Sequence, residues 1–156
     1  MAEETLTMNL KSGAVTITLR PDLAPKHVER IRALASRGFY DGLAFHRVIP
    51  GFMAQTGDPT GTGSGGSELP DLKSEFSKEK HLRGTCSMAR TQNPHSANSQ
   101  FFICFGDAPW LDGQYTIWGR VTAGMEHIDA IKKGGDHNNG AVAGEPDRIV
   151  KMSVKS

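Results

Sequence analysis

The segment Phe45-His46-Arg47-Val48-Ile49-Pro50-Gly51-Phe52-Met53-Ala54-Gln55 sets one cation among apolar and aromatic side chains, with an uncharged amide eight residues later. Read as two strands broken at Pro50-Gly51, it has a definite geometry, because side chains alternate faces along a strand. Arg47 then shares a face with Phe45 and Ile49, and Met53 shares one with Gln55. A guanidinium on an apolar sheet is costly unless it is hydrogen-bonded. Arg47 is therefore either a structural cation satisfied by a carboxylate or carbonyls, or a donor aimed at a ligand. Ser99-Gln100-Phe101-Phe102-Ile103-Cys104-Phe105 again couples an amide to aromatics: Gln100 and Phe102 fall on one face, and Phe101, Ile103 and Phe105 on the other. Trp110-Leu111-Asp112-Gly113-Gln114-Tyr115 adds aromatics around a turn. One apolar pocket of Phe, Met, Leu and Tyr, rimmed by an Arg and two Gln amides, suits an apolar ring flanked by peptide bonds. A prolyl peptide fits that description.

FHRVIPGFMAQTGD, the glycine run Gly61-Thr62-Gly63-Ser64-Gly65-Gly66, Ser87-Met88-Ala89-Arg90, SQFFI and WLDGQYTIWG follow one another in this chain. The same motifs in the same order mark the cyclophilin-type peptidyl-prolyl cis-trans isomerases, which the chain resembles over essentially its whole length. The short loops and the Met88 to Thr91 tetrapeptide MART resemble the bacterial branch. The resemblance implies one domain over residues 1–156, mainly β, with a closed eight-stranded antiparallel barrel capped by two α-helices. It implies Arg47 as the catalytic residue. Phe52, Met53, Phe102 and Leu111 match the proline pocket. Gln55 matches the amide that bonds the substrate backbone and positions the Arg. Ala89, Gln100 and Trp110 match groove positions for residues next to the proline, His46 lies at the site's edge, and Gly63 falls in the loop bordering the groove. Two positions depart from the best-known eukaryotic members. Arg90 replaces an Asn that acts through its backbone, and Tyr115 replaces a His while keeping a flat apolar wall and a polar tip. Trp110 matches the Trp that contacts cyclosporin in the family, so cyclosporin-type cyclic peptides join proline-containing polypeptides among the implied partners; Arg90 and Tyr115 both bear on that affinity.

The chemistry of such a site is conformational. Partial double-bond character gives the peptide bond a rotation barrier of ~18–20 kcal/mol, and X-Pro isomerisation takes tens to hundreds of seconds unaided. Catalysis needs tighter binding of the twisted bond than of either planar form, and it calls for no nucleophile, metal or cofactor. Twisting frees the lone pair of the proline nitrogen. A donor aimed there stabilises only the twisted state, and Arg47 stays protonated at any ordinary pH.

The elements that position these residues read as follows. Thr5–Leu10 and Ala14–Leu19 alternate polar with apolar around Lys11-Ser12-Gly13 and predict a hairpin. Asp22 to Pro25 opens a helix with Pro25 in its first turn, Val28, Ile31 and Leu34 share its face, and Gly38 ends it. Strands are expected near 45–49, 53–56, 84–89, 101–105, 116–121 and 148–154. A second helix is expected over 125–133, ending at Gly134-Gly135, before a loop carrying His137, Asn138 and Asn139. Residues 57–82 form a long connection expected to wrap the surface, anchored by Leu69, Leu72 and Phe76. Trp118 and Phe101 read as core.

At 156 residues the chain is long enough for one domain with a real core, and its net charge of +1 offers no field for nucleic acid or an anionic membrane. No apolar stretch approaches the ~20 residues of a membrane-spanning helix. Met1-Ala2-Glu3-Glu4 has neither the basic start nor the apolar core of a signal peptide. Cys86 and Cys104 read as two buried free thiols, with a single disulfide the alternative. These features favour the cytoplasm and suggest nothing beyond a monomer; a role in assisting protein folding, as an isomerase and chaperone, is what the family resemblance implies. The glycine run lacks the terminal Lys-Ser/Thr of a phosphate loop. The six histidines show no metal-ligand spacing and read as surface or capping residues. No Gly-x-Ser-x-Gly elbow of a serine hydrolase stands at a strand-to-helix turn. Two rivals to an isomerase are a non-catalytic prolyl-peptide binding module and a general holdase. The joint presence of Arg47, Phe52, Gln55 and Phe102 favours the enzyme.

Overall fold

The computed structural model describes residues 4–62, 65–134, 140–142 and 144–155. Eight strands form one antiparallel sheet: β1 (Thr5–Leu10), β2 (Gly13–Leu19), β3 (Arg47–Ile49), β4 (Met53–Thr56), β5 (Thr85–Met88), β6 (Phe101–Cys104), β7 (Ile117–Ala123) and β8 (Lys151–Lys155). Their order across the sheet is β3-β4-β6-β5-β7-β2-β1-β8. The sheet curls into a half-barrel, and the closed barrel expected from the sequence does not form: among the described residues β3 and β8 are not paired. Isolated bridges at Ala44–Arg148 and Arg47–Ala141 span that side instead. Main-chain bonds such as Gly42 N–H to the Ile149 carbonyl (2.7 Å) and Val48 N–H to the Gly140 carbonyl (2.7 Å) join them. The reason lies in the returning segment, where Gly140 and Gly144 take left-handed φ values of 83° and 71° and Pro146 lacks an N–H. Such a stretch crosses a sheet edge but cannot extend its ladder.

Helix α1 (Pro25–Ser36) packs against β7 and β8, and the short α2 (Met125–Asp129) against β2. Val28, Ile31 and Leu34 are buried as their spacing predicts. Gly38 ends α1 in the left-handed region, with Gly38 N–H on the Ala35 carbonyl and Phe39 N–H on the Leu34 carbonyl, the Schellman arrangement. Residue 24 is Ala and supplies no side-chain cap. The cap comes from the long connection: the Glu75 carboxylate accepts from Lys26 N–H (3.0 Å) and His27 N–H (2.9 Å), where the helix dipole favours an anion. Leu69 and Leu72 anchor that connection against the core, but Phe76 does not, staying 41% exposed beside Arg90.

The core sits inside the curl. Phe101 and Trp118 are fully buried and meet edge-to-face at 5.2 Å. Tyr40 packs edge-on against Phe101, and its hydroxyl donates to the Ser99 carbonyl (2.8 Å). Cys86 and Cys104 are buried, unlinked thiols, and burial pushes Cys104 up to about 12.

Candidate functional site

The site is built on one cross-strand row. Pro50 followed by a left-handed Gly51 (φ 75°) turns the chain between β3 and β4, with Phe52 N–H on the Ile49 carbonyl, the residue order of a type II turn. This sets Arg47 opposite Gln55, and Gln55 opposite Phe102. Facing residues of adjacent strands lie close enough for their side chains to meet. Arg47 Nη1 donates to Gln55 Oε1 (3.1 Å), Gln55 Nε2 to Gln100 Oε1 (2.9 Å), and Gln100 Nε2 to the Gly65 carbonyl (2.9 Å). The direction of this relay follows from chemistry. A guanidinium only donates, so Gln55 must turn its oxygen to Arg47 and its nitrogen to Gln100, and Gln100 is oriented in turn. Burial draws the Arg47 guanidinium below its usual value, yet a guanidinium keeps its proton at any ordinary pH.

Beside the relay lies a cleft of about 340 Å³ lined by Arg47, Phe52, Met53, Gln55, Ala89, Arg90, Phe102, Trp110, Leu111 and Tyr115. Met53, Phe102 and Leu111 are buried and form its floor, with Cys104 and Ala108 beneath. Phe52 and Trp110 lie 5.4 Å apart at one end, and Trp110, in the 3-10 turn Pro109–Leu111, is 63% exposed. Tyr115 meets Phe102 edge-on at 5.7 Å. Arg90 lies over the Tyr115 ring, 4.5 Å from its centroid. Its Nε and Nη2 donate to the Gln114 carbonyl (3.1 and 2.7 Å) and its Nη1 to the Thr91 carbonyl (2.8 Å).

Ten of the twelve described residues singled out from the sequence thus meet in one cleft. The other two stand beside it. Gln100 lines an adjoining groove with Gly65, Gly66 and Asn98. His46 turns into a recess on the far side of Arg47, with Asp58 and Arg148, and both its ring nitrogens are buried without a hydrogen-bond partner. Burial holds His46 below the usual imidazole value. Phe45 does not share the face of Arg47: it is buried in the main core with Val48, because β3 begins only at Arg47 and the alternation breaks before it. Gly63, and the loop at His137, Asn138 and Asn139, lie outside the described residues.

Sequence reasoning missed what stands behind the floor. His81 is buried, its ring stacked on Phe102 at 6.3 Å. His81 Nδ1 lies 3.1 Å from Asp112 Oδ1, its main-chain N–H donates to the same oxygen (2.7 Å), and Nε2 lies 3.0 Å from Ser87 Oγ. The order Ser, His, Asp resembles a hydrolase triad. However, Ser87 is fully buried and its hydroxyl donates to the Thr116 carbonyl (2.9 Å), so no substrate reaches it and the trio is structural. His27 is buried as well, with Nδ1 2.6 Å from Glu75 Oε1. Of the surface and capping readings given to these histidines, the surface one fails for both, since each is buried against a carboxylate. Burial holds both below the usual imidazole value despite the adjacent carboxylates. Among the described residues no group of three or more His, Cys, Asp or Glu could hold a metal ion, and no helix is long and apolar enough to cross a membrane.

Residues 5–154 match the family model described as cyclophilin type peptidyl-prolyl cis-trans isomerase/CLD. A protein of Brucella suis biovar 1 named "Probable peptidyl-prolyl cis-trans isomerase" is 54% identical over 99% of this chain and 84% of its own length. Peptidyl-prolyl cis-trans isomerase cypE of Dictyostelium discoideum is 39% identical over 99% of both chains. Among solved structures, a Cryptosporidium parvum cyclophilin type peptidyl-prolyl cis-trans isomerase superposes with a TM-score of 0.89 at 28% identity, covering 99% of each chain. A second crystal structure of that protein, obtained in the presence of the dipeptide Ala-Pro, gives 0.87 at 28% identity over 97% of this chain and 99% of that one.

Proposed function

The chain belongs to the cyclophilin-type peptidyl-prolyl cis-trans isomerases, and from that premise we propose that Arg47 drives the reaction by hydrogen-bonding the twisted prolyl amide in the Phe52–Met53–Phe102–Leu111 cleft. As an isomerase it interconverts the cis and trans forms of X-Pro bonds. The observation that carries the finer reading is the directed relay from Arg47 through Gln55 to Gln100 along an apolar cleft. A proline ring lying on Met53, Phe102 and Leu111 would bring its nitrogen toward Arg47. As the bond twists, the nitrogen lone pair is released from the amide and accepts a guanidinium N–H. That bond exists only near the transition state, so it lowers the barrier without tightening the ground state. The half-buried donor is already in place before the bond twists, so it acts without reorganisation. The substrates of this reading are accessible X-Pro bonds in unfolded or flexible polypeptides, and its role is to assist folding.

Exchange NMR on a short X-Pro peptide, run with wild type and Arg47→Ala side by side, tests it. Arg47→Ala should lower kcat/KM by about two to three powers of ten, or ~3–4 kcal/mol of transition-state stabilisation, with little change in melting temperature. Arg47→Lys should not rescue, because an ammonium lacks the planar fork. A mutant as fast as wild type would remove Arg47 from the mechanism. Peptide binding without turnover in wild type would favour the binding module.

A further inference from the structure

We infer that Arg90 is a specificity-determining residue: its side chain makes the enzyme favour X-Pro bonds flanked by an acidic side chain. The inference rests on the isomerase reading of the cleft. The cleft's lining contains two guanidinium groups, Arg47 and Arg90, and no carboxylate. Arg47 is turned to Gln55 on one side. Arg90 stands where the cleft opens into the neighbouring groove, and it lines both. A proline held in the cleft therefore places a neighbouring residue of its chain against Arg90.

The Arg90 guanidinium is held as a fixed cation. Two carbonyls accept from it, the Tyr115 ring lies 4.5 Å below it and the Phe76 ring 6.0 Å away. Every one of these partners is neutral. Arg90 forms no ion pair among the described residues, whereas Arg20, Arg32, Arg37 and Arg83 each do. One acid, Asp71, lines the groove, and it accepts from Asn98 Nδ2 (3.0 Å). A guanidinium has five N–H donors. The contacts of Arg90 use one on each nitrogen, which leaves one hydrogen on Nη1 and one on Nη2 for an incoming carboxylate. Because stacking and carbonyl bonds already order the side chain, pairing costs little further conformational freedom. Arg90 is only half-buried, so solvent limits the gain. Well-ordered pairs of this kind correspond to about three- to fivefold in kcat/KM.

The test is exchange NMR on matched peptides that differ only in Glu or Gln, placed before the proline in one pair and after it in another. Wild type, Arg90→Gln and Arg90→Lys are compared at low and high ionic strength. The expected result is a Glu-over-Gln preference of about three- to fivefold at one flank, fading at high salt as an exposed charge pair must. Arg90→Gln should bring that ratio to about one, and Arg90→Lys should keep part of it. The ratio is read on whatever enzyme is folded, so loss of material or of absolute rate in a variant does not disturb it. Equal rates for Glu and Gln at both flanks, or a preference that survives Arg90→Gln, would overturn the inference. Failure of wild type to turn over the Gln peptides at all would instead overturn the isomerase reading, and this inference with it.

Discussion

Arg47 is the residue whose surroundings decide the chemistry. A lone guanidinium on an apolar sheet must either be neutralised or be given acceptors, and this chain supplies amides. An amide oxygen holds the cation without quenching its charge. Gln55 is the link that does this, and its orientation is locked from the other side by Gln100. Gln55→Ala should therefore lower kcat/KM about ten- to a hundredfold, ~1.4–3 kcal/mol, by freeing Arg47 to sample other rotamers. The melting temperature should move little, since Gln55 is only half-buried and its neighbours can turn to water. A Gln55→Ala enzyme at wild-type kcat/KM in the same exchange assay would show that Arg47 needs no anchor. A two-residue period pairs Met53 with Gln55 and Gln100 with Phe102 on single strand faces without reference to the rest of the chain, whereas Phe52 and the site roles of Arg47, Gln55 and Phe102 came from the resemblance of their motifs. His81 was legible from neither, because nothing local distinguishes it from an exposed histidine; its partner Asp112 lies 31 residues away.

At the level of elements, the relay depends on a close crossing of chain segments just beyond β4. Gly57 has φ of 96°, and a Cβ there would lie 2.5 Å from the Ser99 carbonyl oxygen and 2.9 Å from the Gln100 Cα. Both obstacles are backbone and cannot swing aside. Ser99 Oγ in turn donates to the Gly57 carbonyl (2.7 Å). Gly57→Ala should destabilise the protein by more than ~1 kcal/mol and push Gln100 away from Gln55, lowering activity as well. Denaturant unfolding and the exchange assay check the two effects, and wild-type values in both would mean that the crossing relaxes without cost. The glycine is conspicuous in the sequence, but the need for it is not, because the obstacle comes from a segment 42 residues on. The same holds for α1, whose start at Pro25 and stop at Gly38 are local signals, while its cap, Glu75, is 49 residues from Lys26.

For the molecule as a whole, pH acts through buried imidazoles. Burial disfavours the charged forms of His27, His46 and His81 in the folded protein, while in the unfolded chain they titrate near ~6.5. As pH falls through that value the unfolded state binds more protons than the folded state, so stability present above about pH 6.5 is lost below it. The Asp112 and Asp129 carboxylates, held low by the His81 main-chain N–H and by Arg83 respectively, add a loss of the same sign on acidification, but only nearer pH ~4. Melting temperature should therefore drop between about pH 7 and 5, while kcat/KM of the folded enzyme stays flat because Arg47 keeps its charge. A level melting profile would show that these histidines protonate without unfolding, and a kinetic inflection in the same range would implicate His46. The strands, the first helix and the start of the second follow from the sequence by itself, since alternation, helical spacing, Pro and Gly are short-range signals that act within a few residues; α2 stops at Asp129, short of the expected 133, and most of the cleft residues follow from the resemblance of their motifs. The open side of the half-barrel, the Glu75 cap, the His81–Asp112 support behind Phe102 and the fixed Arg90 guanidinium were decided only by tertiary structure. Each depends on partners distant in sequence, or on backbone such as Gly140 that refuses to extend a ladder, and burial or pairing is settled only when those segments meet.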